Sequence, residues 1–119
     1  MNPEHKKYIR IRRVRRAART RAKLHGSAAI PRLSVFRSLH YTWTQVIDDD
    51  SGKTLVAVTT RGLKTKGTKV EQAAEIGKQL AELCKKAGIT KVVFDRGSAK
   101  YHGRVKAFAE TARTGGLQF

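Results

Sequence analysis

"TKVEQAAEIGKQLAELCKKAGITKVVF", residues 68–94, holds the two signals that decide the architecture of this chain. Val70, Ala73, Ala74, Gly77, Leu80, Ala81, Cys84 and Ala87 recur at the spacing of one helix face, about 3.6 residues per turn. Thr68 and Glu71 stand at the offset of a capping box, in which each side chain takes up a free N–H near the helix start. The other face carries Glu71, Glu75 and Lys78, with Glu82 four residues before Lys86, as a solvated helix surface does. Gly88 ends the pattern, and "KVVF" then reads as a short buried strand. A helix leading into such a strand predicts a right-handed crossover, with the last strand parallel to a neighbour in one sheet.

The other strands lie upstream. In "RLSVFRS" (32–38) Leu33 and Val35 alternate with Ser34 and Phe36, and in "YTWTQVI" (41–47) Trp43, Gln45 and Ile47 alternate with Thr42, Thr44 and Val46. "DDDSGK" (48–53) has the composition of a tight turn, and "TLVAVTT" (54–60) supplies a third strand. Short links between these three predict an antiparallel meander. Val105, Phe108, Ala109 and Ala112 then mark a last helix, stopped by Gly115 and Gly116. The expected class is α/β: a basic helical arm, a three-stranded antiparallel meander, a helix, a parallel strand and a helix, layered on one mixed sheet.

A chain of 119 residues suits one domain. Residues 1–25 form the arm, 26–31 a linker and 32–119 a single mixed α/β domain. Lysine and arginine number 26 against nine acids, for a formal charge of +17. Such an excess calls for a polyanion, nucleic acid first and an anionic membrane second. Ten of the basic residues and one acid fall in residues 1–25. From Lys6 to Leu24 there is no proline or glycine, and Ile11, Val14, Ala18 and Ala22 make a narrow helical stripe among arginines that repel one another until phosphates neutralise them. Gly26 is placed to cap this helix and Pro31 to block its continuation. No apolar run reaches the roughly 18 residues of a membrane span. The basic start lacks the apolar core of a secretory signal, and with Ser27 as its first serine it is unlike a Ser-rich transit peptide. A soluble, cytoplasmic protein is expected.

Catalytic constellations are weak. Asp48, Asp49 and Asp50 with Asp95 could serve a metal nuclease only if several of their oxygens converged, and a turn explains the three consecutive acids without a metal. His5, His25, His40 and His102 lack ligand spacing, and the lone Cys84 fits a small buried hydrophobe. "GLKTKGTK" (62–69) fails as a phosphate loop because Thr68 precedes Lys69. Serines 34, 38, 51 and 98 sit in no nucleophile elbow. No enzyme activity, metal or cofactor is expected.

A grip on RNA needs charge for phosphates, plus stacking and polar groups. Arg32, Arg37, His40 and Tyr41 cluster around the first hairpin with Phe36 and Ser38, Phe36 fitting a core or a stacking role equally well. In "FDRGSAKYHGRVKAF" (94–108), Gly97 and Gly103 allow close backbone approach to a phosphate. Arg96, Lys100 and Arg104 bring charge there, and Tyr101 and His102 can stack or donate. Gly103 and Arg104 fall near a helix start, where free N–H groups favour an anion. Asp95 reads as a local partner that orients Arg96 or Arg104.

"RIRRVRRAARTRAKLHG", "PRLSVFRS", "QVIDDDSGKTL" and "VVFDRG…YHGRVKAFAETARTGGLQF" resemble, in order and spacing, the bacterial large-subunit ribosomal protein eighteen family, over nearly the whole chain. The resemblance implies a non-enzymatic constituent of the large ribosomal subunit that binds 5S rRNA, helps attach it to 23S rRNA and touches neighbouring 5S-associated proteins. It implies three RNA-facing segments. In the arm these are Lys6, Lys7, Arg10, Arg12, Arg13, Arg15, Arg16, Arg19, Arg21 and Lys23; in the hairpin Arg32, Ser34, Phe36, Arg37, Ser38, His40 and Tyr41; in the loop Arg96, Gly97, Tyr101, His102, Gly103 and Arg104. Ser98, Ala99 and Lys100 depart from the family's loop pattern, and Trp43 stands where a smaller aromatic is usual.

Overall fold

The computed structural model describes residues 2–63 and 67–119; the central part of the basic loop, residues 64–66, and with it the middle of "GLKTKGTK", lies outside the described residues. The elements run α1 (Pro3–Arg21), β1 (Arg32–Arg37), β2 (Thr42–Asp48), β3 (Lys53–Thr59), α2 (Lys69–Lys86), β4 (Val93–Asp95) and α3 (Arg104–Thr114). The sheet order is β3-β2-β1-β4, with β1–β2 and β2–β3 antiparallel and β4 parallel to β1. The meander and the parallel last strand are thus as the alternation and the crossover predict.

Period-two patterning sets the faces of the sheet. Leu33, Val35, Thr42, Thr44 and Val46 are buried, while Phe36, Trp43 and Gln45 face outward. The buried threonines are hydrogen-bonded: Thr44 Oγ1 donates to the Val58 carbonyl at 2.7 Å, and Thr42 N–H donates to Thr60 Oγ1 at 2.9 Å. In the β2–β3 turn, Asp48 accepts from Asp50 N–H at 3.0 Å and from Ser51 Oγ at 2.9 Å, the local bonding that suits aspartate to turns.

α2 and α3 cover the inner face. Ala73, Ile76, Gly77, Leu80, Ala81 and Cys84 of α2 meet Val105, Phe108, Ala109 and Ala112 of α3 over Leu33, Val35 and Val46. Ile76, fully buried, is the centre of the α2 stripe, whereas Val70 and Ala87 at the helix ends project beyond the core. At Gly77 a Cβ would overlap Thr111 Oγ1 and crowd the Phe108 carbonyl, so glycine sets the close approach of the two helices. Burial pushes the Cys84 thiol up to about 11. The Thr68–Glu71 capping box forms in full.

Three boundaries differ from the sequence reading by more than one residue. α1 starts at Pro3, because Asn2 caps it through His5 N–H at 2.8 Å. It ends at Arg21 with Ala22 as its cap, and Gly26 is spent elsewhere, on Asp49. β4 is only three residues long because the preceding backbone bonds to the chain end: Val92 N–H donates to the Gln118 carbonyl at 3.0 Å. No described helix is long and apolar enough to cross a membrane.

Candidate nucleic-acid interface

α1 buries no residue, and its stripe stays open, with Val14 62% exposed. The helix lies beside the body and forms with it two adjoining clefts of about 740 and 630 Å³. Arg13, Arg16 and Arg19 line one wall, and Arg37, Arg96 and Arg104 the other. Among the described residues, no carboxylate lines either cleft. Guanidiniums facing one another across a cleft repel, so the site is electrostatically complete only with an anion between them.

Local structure aims each body residue. Ser38 closes the β1–β2 turn, its N–H donating to the Tyr41 carbonyl at 2.8 Å and its Oγ accepting from Tyr41 N–H at 3.1 Å. The Ser38 carbonyl accepts from Arg104 Nη1 at 3.0 Å, which ties the start of α3 to the hairpin. Burial, then the neighbouring charge of Arg37, lowers the Arg104 pKa. Arg96 Nη1 donates to the Ala99 carbonyl at 2.7 Å, and Ala99 is buried in the core, so the stretch departing from the family pattern forms a turn anchored inward. Gly103 caps α3 at φ 57°, ψ −122°, a conformation for glycine, and having no side chain it makes no side-chain cap to the first N–H groups of the helix.

The outer face of the sheet carries aromatic surface. Phe36 pairs with Trp43 across β1 and β2 and is 61% exposed, which removes it from the core. Tyr41 meets Trp43 edge-on at 6.3 Å, with His40 beyond it at 6.2 Å. Such open rings can stack on bases.

Two residues take places other than those read from the sequence. Arg32 does not face outward: its Nε and Nη2 donate to Asp49 at 3.0 and 3.1 Å and its Nη1 to Asp95 at 2.9 Å, leaving the side chain 13% exposed. These hydrogen bonds, Asp49 first, raise its pKa. Asp95 therefore orients Arg32 and not Arg96 or Arg104, and it also accepts Gly97 N–H at 2.9 Å. The same arrangement answers the nuclease reading. Asp49 and Asp95 do approach one another, but a guanidinium stands between them and uses the oxygens a cation would need.

Among the other sequence-derived residues, Ser34 is half-buried beside Gln45 and Asp95. Tyr101 is tied back, its ring edge-on to Phe94 at 6.2 Å and its hydroxyl accepting from Arg113 at 2.9 Å. His102 is exposed, as are Lys6, Lys7, Arg10, Arg12, Arg15 and Lys23 along the arm away from the cleft. The sequence reading omitted Ser98 from the site, although it lines both clefts beside Gly97.

Residues 7–119 match the family model described as ribosomal L18 of archaea, bacteria, mitochondria and chloroplast. The chain belongs to the uL18 family of large-subunit ribosomal proteins. A large ribosomal subunit protein uL18 of Bacteroides thetaiotaomicron is 52% identical over 108 residues, covering 91% of this chain and 95% of the relative. That of Herpetosiphon aurantiacus is 54% identical over 112 residues, covering 90% and 93%. A large-subunit ribosomal protein has ribosomal RNA and ribosomal proteins as its partners, and what this chain's two-walled cleft offers is positive charge. Of the three segments read from the sequence, arm, hairpin and loop each send at least one arginine into it.

Proposed function

We propose that this uL18-family chain binds 5S rRNA and helps attach it to 23S rRNA, without catalysing a reaction, and that it contacts neighbouring 5S-associated proteins of the large subunit. The observation that carries this reading is the cleft in which Arg13, Arg16 and Arg19 face Arg37, Arg96 and Arg104 with no carboxylate among the described residues of its lining. A phosphodiester backbone lying there would be clamped from both sides, with guanidiniums bonding phosphate oxygens in pairs. The Phe36–Trp43–Tyr41 surface adds stacking where bases are unpaired.

Binding of 5S rRNA, measured against unrelated structured RNA and random duplex DNA at moderate salt, tests the reading. Preference for 5S rRNA, with a footprint lost in Arg37→Ala and Arg96→Ala, is the expected result. Equal affinity for all three nucleic acids would replace it with a general basic chaperone whose binding is charge alone.

A further inference from the structure

Asp49 is a half-buried acid at the root of a surface that otherwise collects positive charge. Towards the arm it pairs with Arg21 at 3.3 Å and accepts Gly26 N–H at 2.8 Å, while its own N–H donates to the Gly26 carbonyl at 3.0 Å. Towards the body it holds Arg32 through two nitrogens, and the third nitrogen of that planar fork reaches Asp95, which accepts Gly97 N–H next to Arg96. One network therefore joins the root of the arm to the root of the 96–104 loop.

The arm has little else to hold it. α1 buries no residue, so its direction depends on the polar contacts at its C-terminal end. Arg16 and Arg13 stand about 8 and 12 Å along α1 from Arg21, so a rotation of roughly 20° at the root shifts them by about 3 to 4 Å, enough to break a guanidinium contact to a ligand held on the opposite wall.

We propose that Asp49 is a positioning residue for RNA binding: through Arg21, Gly26 and Arg32 it fixes the arm wall of the cleft against the loop wall, without touching RNA. The inference rests on the RNA-binding reading above for its purpose, but the placement of the arm is measurable without RNA. It also predicts an effect opposite in sign to simple charge. Asp49→Asn removes a negative charge from a protein of formal charge +17, which by long-range attraction alone tightens a polyanion. Loss of arm placement weakens it. Asp50→Asn makes the same charge change at a side chain 63% exposed, whose pair with His25 contributes little, and is the matched control.

The experiment uses the full chain with spin labels at Val14→Cys and Lys53→Cys, both exposed positions outside the cleft lining; buried Cys84 stays unlabelled. Electron–electron distances are expected to be narrowly distributed in the parent and in Asp50→Asn, and broad in Asp49→Asn. Arg21→Gln, which leaves the Arg32 contacts intact, is expected to broaden them too, and it separates arm release from any loss of body stability. In 5S rRNA binding, Asp49→Asn is expected to be about tenfold weaker than Asp50→Asn, as when about one molecule in ten holds the competent arrangement. Unchanged distance distributions in both Asp49→Asn and Arg21→Gln overturn the proposal, as does equal RNA affinity of Asp49→Asn and Asp50→Asn. If the parent shows no preference for 5S rRNA, the functional reading fails, and the distances still decide what Asp49 holds.

Discussion

Asp49 shows how a single side chain links stability and pH in this protein. The hydrogen bond from Arg32 is the largest influence on its carboxylate, with the Gly26 N–H and the charges of Arg32 and Arg21 adding to it, and together they hold its pKa at about 2 against an ordinary 3.8. A carboxylate depressed in the folded state stabilises the fold above its unfolded pKa and loses that contribution as pH falls through the folded value. The side chain is 11% exposed, so screening is limited, and the shift corresponds to about 2 kcal/mol. Urea unfolding of the parent and Asp49→Asn is therefore expected to differ by about that much at pH 6. The gap should close between pH 4 and pH 2. A gap independent of pH would place the effect in packing and not in the ionised carboxylate.

At the scale of elements, what could be read in the sequence is what neighbouring residues decide among themselves. Thr68 and Glu71 are three residues apart, and their box forms because both partners lie within the turn they cap. Leu33 and Val35 bury because a strand sends alternate side chains to opposite faces, and Asp48 organises its turn with Asp50 and Ser51. Arg32 was not legible in this way. Its partners stand 17 and 63 positions away, so as a sequence it is one more arginine in a basic chain, and only the β1–β4 and β1–β2 pairings make it internal. The exposure of Phe36 had the same character, since alternation gave its face but not that helices cover only the other one. The local elements should then be separable from the site. Thr68→Ala is expected to lower stability by about 1 kcal/mol through the lost cap. Its affinity for 5S rRNA should match the parent, because the box lies outside the cleft lining. Thermal melting and a binding isotherm on the same preparation check both halves.

For the whole molecule the decisive relation is between a body with a closed core and an arm with none. Among the described residues, every member of the apolar core comes from residue 33 or later, and α1 contributes no buried side chain, so its like-charged arginines stay at the surface. Removing residues 1–25 takes away ten basic residues and the ion pairs of Arg21 and His25 with the β2–β3 turn, but nothing of the core. The body is therefore expected to keep its cooperative melting transition, with a modest loss from the missing ion pairs. RNA binding should change in two linked ways. Affinity falls, and the dependence of log affinity on log salt becomes shallower by about 0.7 to 0.9 for each phosphate that the arm no longer neutralises. The second reading matters more, because a misfolded fragment also binds weakly, whereas a shallower slope with an intact melt assigns those phosphates to the arm. An unfolded fragment would mean that the arm's stripe of Ile11, Val14 and Ala18 supports the body after all. An unchanged slope would mean that the body wall, with Arg37, Arg96 and Arg104, meets the phosphates alone.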